Sequence, residues 1–173
     1  MKVWDAFVRV AHWTLVAAVL AAWFTRQAAH EWIGYAALAV VALRAAWGFM
    51  GPRYSRFGQF VRSPAKTLAY VKTVAAGREP RYLGHNPLGG WMVVALLIAV
   101  ALTGLTGWVS VTDRYWGVEW VQETHEACAN LLAGLVFLHV GGVGYTSLRH
   151  RENLVRAMLS GSKPPPRPGD VFE

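Results

Sequence analysis

The chain has 173 residues, 54% of them hydrophobic and 16% charged, with nine Trp and a net charge of +7. A soluble domain of this length carries roughly 25% charged residues, so the deficit, together with a positive mean hydropathy, excludes an ordinary soluble domain and points to a membrane protein. The single cysteine, Cys128, excludes an internal disulfide and a Cys-rich metal site, and the absence of a CxxCH run excludes standard covalent c-type haem attachment.

Four apolar segments follow one another along the chain. Each approaches the ~20 residues that a spanning helix needs, and each is too continuously apolar for a surface helix. They predict helices over about 7–26, 30–50, 89–111 and 123–149, hence an all-α integral membrane protein built as a four-transmembrane-helix bundle. The first run lacks a small-residue cleavage site and reads as retained helix rather than signal peptide. A basic connection, 51–88, opens at Gly51-Pro52 and closes at Asn86-Pro87, both helix-stopping signals. Inside it, Leu68, Val71 and Ala75 recur at helical spacing, which predicts a short amphipathic helix lying at the membrane interface. The bundle domain is expected over 1–161, and the Pro-rich tail 162–173 is expected to be disordered.

Orientation follows from the loops. Fourteen of the seventeen Lys and Arg fall in the N-terminus, the long connection and the C-terminus. The other two loops hold Arg26 and Arg114 against Glu31, Asp113, Glu119, Glu123 and Glu126. The positive-inside rule then places both termini in the cytoplasm of a bacterial inner membrane. It also assigns the basic charge to topology rather than to nucleic acid. The tryptophans gather near the two helix ends, as interfacial belts do.

With that topology each histidine acquires a depth. His125 and His139 lie 14 residues apart on one predicted helix, a separation of about 21 Å that falls about 40° short of four full turns. Both therefore leave the same face. His30 shares the outer depth of His125, and His12 shares the inner depth of His139. Bis-imidazole haem ligation needs one histidine from each of two facing helices at matched depth, and the chain supplies that twice. One histidine in an apolar helix is usually a packed residue. Two depth-matched pairs favour a cofactor, because ionisable groups within a membrane are costly and usually functional. Zinc wants its ligands in one small cluster, which a 21 Å spacing forbids.

Arg44 is the one charge deep inside a predicted span. A propionate of the inner haem would offset it, as would a carboxylate partner or snorkelling to the inner headgroups. Gly34 and Gly142 sit one turn after His30 and His139, where they admit a porphyrin edge or serve ordinary small-residue packing. His85 and His150 titrate near neutrality and can serve a quinone; their bland alternatives are a helix cap and a solvated residue. Cys128 reads as a small packed hydrophobe. The outer Glu119, Glu123 and Glu126 either steer a basic periplasmic protein or reflect charge depletion alone.

The segments RVAHW (9–13), HEWIGY (30–35), LRAAWGFMGPRYSRF (43–57), RYLGHNPLGGWM (81–92), THEACANLL (124–132), LHVGGV (138–143) and HRENLVRAM (150–158) resemble the bacterial four-helix cytochrome b561 family, close to the small cytochrome b subunits of nickel–iron hydrogenases. The resemblance implies two haem b groups, ligated by His12 with His139 and by His30 with His125. It further implies electron transfer between membrane quinone and a redox partner, such as a periplasmic c-type cytochrome or another oxidoreductase subunit. The hydrogenase subunits carry an additional helix, for which this chain has no fifth apolar span. A self-sufficient superoxide:quinone oxidoreductase is the alternative within the family. A non-redox transporter or scaffold is the alternative outside it.

Overall fold

The computed structural model describes residues 1–172. In chain order its α-helices are α1 (Ala6–Phe24), α2 (Gln27–Met50), α3 (Phe57–Phe60), α4 (Pro64–Ala75), α5 (Pro87–Ser110), α6 (Glu119–Arg149) and α7 (Leu154–Ser160), with a 3-10 turn at Arg53–Ser55. Among the described residues no strand forms, and the only β-type pairings are the isolated bridges Lys2–Ser162 and Tyr82–Val171. Four helices, α1, α2, α5 and α6, are long and apolar enough to cross a membrane.

Caps explain where the helices begin and end. Asp5 Oδ1 accepts the Val8 amide at 3.0 Å and starts α1, the ordinary service of an N-cap carboxylate. At the other end, the Thr25 hydroxyl donates to the Ala21 carbonyl at 2.9 Å, and Gln27 takes a φ of 54°. The turn is thus tighter than expected, and α2 begins at Gln27 rather than at 30. Ser63 caps α4 ahead of Pro64, and Asn86 Oδ1 caps α5 by accepting the Gly89 amide at 2.7 Å. The fourth long helix starts at Glu119 rather than at 123, and its first turn already buries Val121.

The end of α6 is a Schellman motif. The Arg151 amide donates to the Leu148 carbonyl at 3.3 Å and the Glu152 amide to the Ser147 carbonyl at 3.0 Å. Arg151 occupies the left-handed position with a φ of 52°. Glycine is the usual residue there, and an L-residue costs about 1–2 kcal/mol.

The chain divides into two compact units, one made of Met1–Arg9, Trp47–Val94 and Leu138–Glu173, the other of Val10–Ala46 and Ala95–Phe137. The division cuts through the long helices. In the second unit all four long helices meet in one core. Ala37 and Val41 of α2, Ala99 and Val100 of α5 and Leu132 of α6 are buried, with Leu15, Ala18 and Val19 of α1 packed against them. The alanines among them, Ala18, Ala37 and Ala99, let helix axes approach closely. A Cβ on Gly104 would lie 2.6 Å from the Leu38 side chain.

The first unit gathers the connection and both chain ends. Val3, Trp4 and Ala157 form its core together with Tyr54 and Met158, and Phe60 and Leu83 are fully buried. Gly161 ends α7 at a φ of 79°, where a Cβ would meet the Trp4 carbonyl oxygen at 2.7 Å. The tail is joined to the rest of this unit by backbone hydrogen bonds. The Lys163 amide donates to the Met1 carbonyl at 3.0 Å, and the Val171 amide to the Arg81 carbonyl at 2.8 Å. A buried ionic network locks it. Arg81 donates from Nε and Nη2 to Glu152 Oε2 at 3.0 and 2.8 Å, Lys163 donates to Glu152 Oε1 at 3.1 Å, and Arg81 also pairs with Asp170. The charges that flank the proline run, Lys163 and Asp170, pair with Glu152 and Arg81 and hold its two ends.

Candidate functional site

In the second unit the structure brings His30 of α2 and His125 of α6 together. Their ring centroids are 6.0 Å apart and their planes nearly perpendicular, at 88°. Each ring is oriented by a backbone carbonyl. His30 Nδ1 lies 2.9 Å from the Ala22 carbonyl in the last turn of α1, a carbonyl that helix ends leave without an intrahelical partner. His125 Nδ1 lies 3.0 Å from the Thr103 carbonyl of α5, with the Thr106 hydroxyl at 3.3 Å.

A carbonyl only accepts, so both Nδ1 atoms must carry the proton. Both Nε2 atoms are then bare acceptors. Metal-ligating histidines characteristically donate their second ring N–H in this way, which fixes tautomer and ring orientation. Two imidazoles sharing one metal, with bonds of about 2.0–2.1 Å, have centroids roughly 6.5 Å apart, close to the spacing observed.

A third element shapes the pocket wall. A Cβ built on Gly107 of α5 would stand 3.0 Å from His125 Cε1 and 3.2 Å from its Nδ1. Only glycine lets the imidazole lie this close to α5. The residues present therefore fit an axially ligated haem at His30 and His125. Among the described residues no group of three or more His, Cys, Asp or Glu could hold a metal ion by itself.

The other sequence-predicted residues lie as follows. His12 is in α1 within the second unit, its ring edge-on to Trp13 at 5.1 Å. His139 is in α6 within the first unit and is partly buried. Arg44 is only 5% exposed within α2, and it lies 14 residues after His30, hence almost on the same helix face. A Cβ on Gly34 or on Gly142 would meet nothing within 4 Å, so both positions border open space. Cys128 is partly buried in α6.

Neither His85 nor His150 follows its bland alternative. Asn86, not His85, caps α5. The His85 ring lies between Trp4 and Phe60, with both centroids at 4.6 Å. His150 is partly buried, and burial pushes its imidazole below the ordinary histidine value against the opposing pull of Glu152 and Glu79. Sequence reasoning missed Gly107, Thr103 and Ala22. The available signal was a pair of glycines three residues apart, Gly104 and Gly107, in the second half of α5.

A family model described as prokaryotic cytochrome b561 matches residues 3–161. No curated protein and no solved structure matches the chain. The chain belongs to the prokaryotic cytochrome b561 family, whose members are membrane helical bundles that bind haem b and transfer electrons.

Proposed function

We propose that this cytochrome b561 is a dihaem protein that moves electrons across the bilayer between a periplasmic redox partner and the quinone pool. The observation that carries the reading is the His30–His125 pair, 6.0 Å apart, with both Nδ1 protons committed to carbonyls. A second haem would take its ligands from His12 and His139, the residues that the sequence spacing pairs. Haem b, when bound, supplies reversible one-electron chemistry, and the protein tunes it through ligands, hydrogen bonds and burial.

The chain's own residues do the rest. The carbonyls of Ala22 and Thr103 raise the basicity of the imidazoles and hold their tautomers through redox cycling. Gly107 keeps the His125 ring seated against α5. The guanidinium of Arg44 balances a propionate charge inside the span, where an unmatched charge is costly. The basic connection and both termini face the cytoplasm, as the positive-inside rule requires. Glu119, Glu123 and Glu126, all exposed, then face the periplasm and steer a cationic partner such as a c-type cytochrome.

Haem content tests this directly. Pyridine haemochrome analysis of the purified wild type is expected to give two haems per chain. His125→Ala and His139→Ala should each give one, and the double variant none. One haem in the wild type, or two in either single variant, refutes the pairing. Stopped-flow mixing with superoxide is expected to leave the haem oxidised; rapid reduction without a protein donor would make the chain a self-sufficient superoxide:quinone oxidoreductase instead.

A further inference from the structure

The C-terminal end of α6 carries a second constellation, within the first unit and independent of the haem ligands. Tyr145, Leu148, Arg149 and Arg151 line one open concavity of about 430 Å³. Its wall is apolar at Leu148, which is 83% exposed in a segment apolar enough to span a membrane. Its rim is cationic. Arg149 is braced rather than free, since its Nε donates to Glu79 Oε1 at 2.9 Å and it also donates to the Gly77 carbonyl. Glu79 is further fixed by the Tyr145 hydroxyl at 2.8 Å. A guanidinium held in place loses less freedom on binding than a mobile one.

Arg151 is the more telling residue. It sits in the left-handed position of a helix terminus, where glycine would be unstrained. Its side chain is exposed. Backbone strain kept at one position is a pointer to function when a chemical use for the side chain can be named. Here the use is plain. An apolar wall leading to two guanidiniums, at the depth where a spanning helix leaves the hydrocarbon, matches an acyl chain leading to a phosphate. Basic pockets at helix ends of membrane proteins bind anionic head groups in this manner.

We propose that the concavity bounded by Tyr145, Leu148, Arg149 and Arg151 is a specific site for one anionic phospholipid, its phosphate on Arg151 and Arg149 and its acyl chain along Leu148. The charge that recognises it is chiefly that of Arg151, because Glu79 neutralises much of Arg149.

The test uses the purified holoprotein in detergent, titrated separately with phosphatidylglycerol, phosphatidylcholine and inorganic phosphate. Native mass spectrometry reads bound lipid, and the thermal midpoint reads linked stabilisation. One phosphatidylglycerol is expected to bind at least tenfold more tightly than phosphatidylcholine. Arg151→Gly should raise the thermal midpoint in lipid-free detergent, because it relieves the left-handed strain, and yet lose the phosphatidylglycerol preference. Arg151→Lys, which keeps the charge, should retain most of that preference. Equal binding of the two lipids, or undiminished phosphatidylglycerol binding by Arg151→Gly, overturns the site. Stabilisation by inorganic phosphate equal to that by phosphatidylglycerol overturns the lipid assignment in favour of a free anion.

Discussion

His125 depends on a residue that contributes no side chain at all. Gly107 leaves space that any Cβ would take from the imidazole, at 3.0 Å from Cε1. Gly107→Ala gains about 1 kcal/mol of helix propensity, so the helix itself is not weakened. The crowding must then be relieved by moving the ring, at a cost of roughly 1–3 kcal/mol typical of overpacking. The expected outcome is a variant that folds with unchanged helicity but loses about one haem per chain, with the His30–His125 site emptied first. Full haem content together with an unaltered absorption spectrum would show that the ring has room to shift.

Asp5 offers a second residue-scale outcome. Burial raises its carboxyl, but hydrogen bonds from Ser55 and the Val8 amide outweigh that and hold it below the usual value of 3.8. A depressed folded-state value means that the stabilisation is fully present above pH 3.8 and is lost as pH falls through the lower folded value. Asp5→Ala should therefore cost about 1 kcal/mol near neutrality, as loss of an N-cap does. The difference from wild type should vanish in strong acid. A gap that persists at the acid end of a thermal series would assign the effect to packing instead.

The closeness of His30 and His125 was legible in the sequence because helical periodicity converts spacing into face and depth without any knowledge of neighbours. Gly107 and the Thr103 carbonyl were not, because their role depends on how α5 is rotated against α6, and no one-dimensional pattern records that.

Among the elements, the four long helices were readable because apolar length is a local property. Their ends moved where capping chemistry, rather than hydropathy, decides the boundary. α7 was not read from the sequence because its contacts are with partners far away in the chain, Val3 and Trp4 among them. Glu152 accepts from both Arg81 and Lys163 in a network in which all three side chains are almost wholly buried. Burial lowers the Lys163 ammonium, and Glu152 is what chiefly opposes that shift. Removing the central carboxylate leaves two cations without their shared counter-charge. Glu152→Gln is expected to destabilise the first unit by about 3–5 kcal/mol, the usual cost of breaking a buried pair, and to expose the tail to protease. An unchanged unfolding midpoint and an intact tail would mean that solvent already screens the network.

At the scale of the whole molecule, the charge distribution carries the orientation. An even number of spans returns both termini to the side from which the chain set out, and the concentration of Lys and Arg selects that side. Fourteen of seventeen basic residues lie in three segments that four spans would place together. Alkaline phosphatase fused after residue 172 should therefore be inactive, while a fluorescent protein fused at the same point should mature. Phosphatase inserted into the turn at Gly117, between α5 and α6, should be active. The same assignment sets which end of the electron path meets the aqueous partner. If the α5–α6 turn lies outside, Glu119 and Glu123, in the same helix as His125 and exposed, would face the periplasm, and reduction by a cationic donor should slow as salt rises, because screening shortens the reach of those carboxylates. An active phosphatase at the C-terminus would invert the bundle. The His30–His125 pair would then serve the cytoplasm, and the donor would have to be sought there.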